Sequence, residues 1–186
     1  MNLKKRMFIG IPAGREIQPV LFDIQSAIEH NPGQIRWVPT ENIHMTLFFL
    51  GNVLIDDIPI LTKTLEDELD LTHFRVLIDK TGVFPSVRFP KIFWLGVGSG
   101  RMKMIALHEQ IKKAAAPFKG DRKKGNFSHH ITIGRVARSH GKIDVLPFLE
   151  YVYSPRELAI NSVALYESQL LPQGAEYKVL TEFPLN

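Results

Sequence analysis

The 186-residue chain contains no cysteine. Disulfides, thiolate metal sites and a cysteine nucleophile are thereby excluded, and a reducing compartment is compatible with the composition. Long apolar runs are missing as well: no stretch approaches the ~20 residues that span a bilayer. The opening segment MNLKKRMFIGIPAGRE sets basic residues before an apolar stretch, but Gly10, Pro12, Arg15 and Glu16 cut it short of a secretion signal. A cytoplasmic protein without membrane attachment is the expectation. Neither sign of charge dominates, with 23 Lys and Arg against 19 Asp and Glu, a net charge of +4 and a pI near 9.3. That mild basic bias suits a polyanionic partner without requiring one. The remaining composition, 45% hydrophobic, suffices for a sizeable core. A single domain, or one domain of two similar lobes, is expected over residues 1–186.

Hydrophobic periodicity alternates between strand and helix patterns. Strands are expected at 6–12 (RMFIGIP), 43–50 (IHMTLFFL, ending at Gly51), 73–80, 91–97 (KIFWLGV), 129–136 (HHITIGRV), 158–167 and 177–183. Helices are expected at 16–30, with Val20, Ile24, Ala27 and Ile28 on one face, at 56–70, at 102–116, with Ile105, His108, Ile111 and Ala115 in register, and at 142–152. Gly82 to Pro90 reads as a loop, and 119–126 (KGDRKKGN) as a basic, glycine-bounded one.

One shift of 86 residues carries His44 onto His130, the strand around Phe8 onto Trp94, and helix 16–30 onto 102–116. It also carries helix 56–70 onto 142–156 and strand 73–80 onto 159–166. The match is one of pattern rather than identity. It predicts an α+β fold of two lobes related by a pseudo-two-fold axis, each a mainly antiparallel sheet covered by helices, with a cleft between them.

The pair that this shift superposes carries the chemistry. His44-Met45-Thr46-Leu47 and His130-Ile131-Thr132-Ile133 both lie in expected strands. Residues i and i+2 of a strand share a face, so each motif presents an imidazole and a hydroxyl side by side, about 7 Å apart at the backbone. The intervening apolar residues point into the core. Two such sites suit displacement at phosphorus by water. One histidine takes a proton from the nucleophile and the other gives one to the departing oxygen, which requires one neutral and one charged ring near neutral pH. The two threonine hydroxyls can donate to the non-bridging oxygens, where charge gathers. No metal and no cofactor is needed. A site built from His44, His129 and His130 is disfavoured as a metal centre, because no carboxylate or cysteine accompanies them at ligand spacing.

The segments RWVPTENIHMTLFFLG (36–51) and FSHHITIGRV (127–136) resemble the RNA 2′,3′-cyclic phosphodiesterases, the 2′-5′ RNA ligase-like branch of the two-histidine phosphoesterases. GVFPSVRFPKIFWLGV (82–97) and LYESQLLPQGAEYKVL (165–180) extend the resemblance over nearly the whole chain. It implies hydrolysis of a terminal 2′,3′-cyclic phosphate to a 2′-phosphate, with His44 as proton donor to the 3′ oxygen and His130 as base. It implies that some members run the reverse 2′-5′ joining. RNA ends, tRNA-like or oligonucleotide, or small nucleotide cyclic phosphates are the implied partners, and a monomer is expected. The sequence departs from the family pattern at His129, where relatives often carry proline, and at Gly134, where alanine is common.

Arg135 belongs to the second motif as relatives carry it, and a guanidinium suits a phosphate. Strand alternation nevertheless puts it on the face opposite His130 and Thr132 unless a bulge intervenes. The same alternation turns His129 away from the cleft. Trp37 is open to stacking on a base, whereas Phe48 reads as core. Lys119, Arg122, Lys123 and Lys124 are candidate RNA phosphate contacts. His108 reads as packed on its helix, and His30, His73 and His140 show no partner. A non-catalytic RNA-binding module and an enzyme acting on 2′-5′-linked oligonucleotides remain alternative readings.

Overall fold

The computed structural model describes residues 3–28, 34–120, 127–137, 143–171 and 174–186. The strands are β1 (Lys4–Pro12), β2 (Ile35–Trp37), β3 (His44–Leu54), β4 (Phe74–Pro85), β5 (Pro90–Val97), β6 (His130–Val136), β7 (Arg156–Ile160), β8 (Ser162–Leu171) and β9 (Gly174–Pro184). Among the described residues the α-helices are α1 (Gly14–Ile28), α2 (Ile58–Glu68), α3 (Arg101–Ala115) and the single turn α4 (Leu146–Leu149).

The two expected sheets are fused into one. Its order is β7-β4-β5-β6-β3-β1-β8-β9, with β2 also bonded to β6, and its pairings are antiparallel. The halves meet at β3 and β6, where Met45 opposite Ile131 is the one ladder pair. Pairs of elements recur at a near-constant interval. β5, α3, β6, α4 and β8 begin 86 to 88 residues after β1, α1, β3, α2 and β4. The last strand of each series has crossed over: β4 pairs with β5, and β8 pairs with β1. Each half of the sheet is thus completed by a strand from the other half of the sequence.

One face of the sheet is buried under the helices. Met45, Leu47, Ile131 and Ile133 join Ile17 and Ile24 of α1, Leu61 and Leu65 of α2, and Met104, Leu107 and Ile111 of α3 in one core. On α3 the expected stripe holds at Ile111 and Ala115, but its first turns run one residue earlier: Met104 and Leu107 are buried and Ile105 is exposed, which leaves His108 on the stripe's flank. Among the described residues no helix is long and apolar enough to cross a membrane.

Other differences have local causes. Expected strand 158–167 is two strands broken at Asn161, and the helix expected over 142–152 is only the turn α4. β4 runs on through Gly82 to Pro85 where a loop was expected. Gly82 serves a close approach rather than a turn, since a Cβ there would stand 2.0 Å from Cζ2 of Trp94. β3 likewise continues past Gly51, which takes a positive φ of 80° inside the strand.

Candidate active site

His44 opens β3 and His130 opens β6. The antiparallel pair Met45–Ile131 sets their relation; antiparallel register extended one residue either way brings His44 across from Thr132 and Thr46 across from His130. The two histidines are diagonal neighbours on one face, which puts their backbones about 7–8 Å apart. Two imidazoles and two hydroxyls therefore converge from strands distant in the chain, on the face turned away from the helices.

Each ring is held the same way. His44 Nδ1 donates to the Asn42 carbonyl at 2.7 Å, and His130 Nδ1 to the Ser128 carbonyl at 3.0 Å. A carbonyl can only accept, so Nδ1 carries the hydrogen and the neutral ring keeps Nε2 as its basic nitrogen. At His44, Nε2 accepts from the Thr46 hydroxyl at 3.1 Å. The walls are aromatic. Phe8, Tyr177 and Tyr166 surround His44 with ring centroids at 4.7, 4.8 and 5.7 Å. Phe84 meets His130 edge-on at 5.0 Å, and Trp94 lies at 6.3 Å. Phe8 and Trp94, superposed by the 86-residue shift, thus occupy comparable places beside the two histidines.

Arg135 stands on the same face as both histidines, contrary to simple alternation. Trp94 pairs with Thr132 and Phe93 with Gly134, so Ile133 is an extra residue in β6. Ile133 and Gly134 are both buried, and the inside–outside pattern slips by one before Arg135. Glycine fits this turn of the strand because a Cβ at 134 would come within 2.8 Å of Ile35 Cγ2. Arg36 on β2 pairs directly with Arg135 and so shares its face. The sequence reading did not single out Arg36 as a site residue, nor the aromatic walls. The 86-residue match of Phe8 to Trp94 was the available signal for the walls.

Burial pushes the His44 pKa down to about 4, with the positive charges of Arg135 and His130 adding to the shift and the Asn42 bond opposing it. His130 is also lowered, chiefly by burial and further by Arg135. Both rings are therefore neutral at neutral pH. The unfolded chain protonates His44 near pH 6.5, the folded one only near pH 4, so the unfolded state binds more protons between these values. Stability falls by about 3 kcal/mol as pH drops through that window, at ~1.4 kcal/mol per pH unit. Urea unfolding at pH 7 and pH 4.5 should show this loss in the wild type and a smaller one in His44→Asn. Equal losses in the two would contradict the assigned burial.

The remaining candidates lie elsewhere. His129 faces the helical side, where its ring meets Phe127 at 4.5 Å. His108 bonds the Leu47 carbonyl, and His73 the Asn186 carbonyl. Trp37 and Phe48 both pack against the core, and it is Phe49, 44% exposed, that reaches the rim beside Phe8. His30, His140 and the loop residues Arg122, Lys123 and Lys124 lie outside the described residues; Lys119 lies within them. Among the described residues no group of three or more His, Cys, Asp or Glu could hold a metal ion.

Comparison with known proteins gives the family and the fold. The family model of the 2′-5′ RNA ligase superfamily matches residues 18–170. An RNA 2′,3′-cyclic phosphodiesterase of Thermotoga maritima is 31% identical over 95% of this chain and 94% of its own length. Another, of Aquifex aeolicus, is 30% identical over 97% of both. In fold, the chain is similar to apo LigT of E. coli, with a TM-score of 0.74 at 24% identity over 99% of both chains. LigT crystallised with 3′-AMP gives 0.76 at 22% identity, over 98% of this chain and 99% of that one.

Proposed function

Because the chain belongs to the 2′-5′ RNA ligase superfamily, we propose that it hydrolyses the terminal 2′,3′-cyclic phosphate of RNA to a 2′-phosphate through His44 and His130. The observation that carries the mechanism is the Met45–Ile131 register, which supports two imidazoles flanking a single phosphorus. Water attacks phosphorus as His130 Nε2 accepts its proton. The bond from phosphorus to O3′ breaks, and His44 delivers a proton to that oxygen. The product keeps phosphate on O2′ and a free 3′ hydroxyl.

The low pKa of His44 assigns the substrate a part in this scheme. By itself the ring is neutral and accepts from Thr46. An anionic phosphodiester beside it favours the protonated form. Substrate entry therefore takes up a proton at His44 Nε2 and frees the Thr46 hydroxyl to donate to a phosphate oxygen. Thr132 and the Arg135 guanidinium bind the non-bridging oxygens, where negative charge grows in the transition state. We place the protein in the cytoplasm, as a monomer of one bilobal domain with an internal repeat, acting on RNA ends.

The test is product analysis on an oligonucleotide ending in a 2′,3′-cyclic phosphate, with EDTA present. Complete conversion to the 2′-phosphate is expected. A 3′-phosphate product, or activity abolished by the chelator, would overturn the scheme. Weaker turnover of the oligonucleotide than of a mononucleotide cyclic phosphate would move the substrate from RNA to small nucleotides.

A further inference from the structure

α3 brings one histidine to the underside of both motifs. His108 Nδ1 donates to the Leu47 carbonyl at 3.0 Å. Leu47 is the residue that the β1–β3 register skips, Ile9 pairing with Phe48 and Gly10 with Thr46. It directly follows Thr46, so the bond fixes the bulge from which the first hydroxyl projects. The same ring lies parallel to Phe127, centroids 4.1 Å apart and planes 3° from coplanar. Phe127 in turn meets His129 edge-on. Between them, Ser128 supplies the carbonyl that accepts from both the backbone N–H and Nδ1 of His130. One side chain thus touches β3 at the first motif and, three residues before the second, the segment that leads into β6. It does so where the ladder between those halves is reduced to Met45–Ile131.

We infer that His108 is a positioning residue for the reaction, setting where the two imidazoles stand relative to one another across the phosphate. The inference rests on the proposed two-histidine chemistry. Its physical basis is that proton transfer at both ends of a displacement tolerates little misplacement. A shift of ~1 Å caused from outside the site can cost on the order of 10²-fold. A single strand pair with bulges on both sides of it is a poor clamp. A hydrogen bond to one motif and a ring stack beside the other supply what the ladder lacks.

The test compares His108→Leu, which fills the space without a donor, with His108→Asn, whose amide N–H can stand near the place of Nδ1. Turnover of the cyclic-phosphate oligonucleotide is measured at temperatures where thermal unfolding shows each variant to be folded. His108→Leu is expected to lower kcat by about tenfold to 10²-fold with KM little changed, and His108→Asn to regain most of that loss. Wild-type turnover by folded His108→Leu would overturn the inference, as would equal losses in the two variants. The ring resonances of His44 and His130 give a second reading that needs no turnover. They should move in His108→Leu and return in His108→Asn, and unmoved resonances would also overturn it. An inert wild type would sink the proposed reaction instead, and the resonances would still decide the role of His108.

Discussion

Replacing either His44 or His130 with alanine is expected to lower kcat on a 2′,3′-cyclic-phosphate oligonucleotide by about 10²-fold or more, because each removes one of two general acid–base partners. The two variants should differ in their pH dependence. The wild-type curve of kcat is bell-shaped, since one ring must be charged while the other is neutral, and its two apparent pKa values belong to the pair. The rising limb requires a neutral base. It should vanish in His130→Ala and survive in His44→Ala. The falling limb requires a protonated donor and should behave the other way. An exchange of limbs between the variants would reverse the roles given to the two histidines. A mild loss in both would remove them from the chemistry altogether.

Substituting Arg135 should have an effect of similar size, with a different signature. Arg135→Met removes a fixed donor from the growing charge on phosphate, a loss on the order of 10²–10³-fold in kcat/KM. It also removes the positive charge that holds both histidines down. With that charge gone, both rings keep their protons to higher pH, and the whole profile moves toward the alkaline side. Arg135→Lys keeps the charge but loses the planar fork that matches two phosphate oxygens. It should therefore hold the wild-type pH profile while recovering only part of the rate. An unshifted profile in Arg135→Met would mean that the guanidinium does not face the histidines in solution.

The contrast between these residues marks what a linear sequence conveys. The face shared by His44 and Thr46, and by His130 and Thr132, follows from the two-residue period of a strand, which depends on nothing beyond the strand itself. Arg135 escapes that rule because an unpaired residue, Ile133, is absorbed against β5, and only the partner strand reveals the slip. Glycine misleads for a related reason. At Gly82 the missing side chain makes room for the Trp94 ring, a neighbour on another strand, yet in sequence it looks like a turn. Long-range pairing is the least legible. The 86-residue interval placed the elements, but no local property of residues 74–85 or 162–171 says that each will join the opposite half. His108 belongs in this group too. On its helix it is one polar residue flanking an apolar stripe, and its bond to Leu47 exists only after folding.

The crossed-over strands also dictate when the enzyme can come into being. During synthesis β1 leaves the ribosome well before β8, yet its outer edge is covered only when Ala164 to Glu167 arrive to pair with Met7 to Gly10. At about 5–20 residues per second, that edge waits on the order of ten seconds or more. Throughout, the nascent chain carries a bare apolar strand open to wrong partners. Tyr166 and Tyr177, which wall in His44, emerge in the same late interval. A message cut short between Ile133 and Tyr166 yields both motifs without the tyrosine wall of His44.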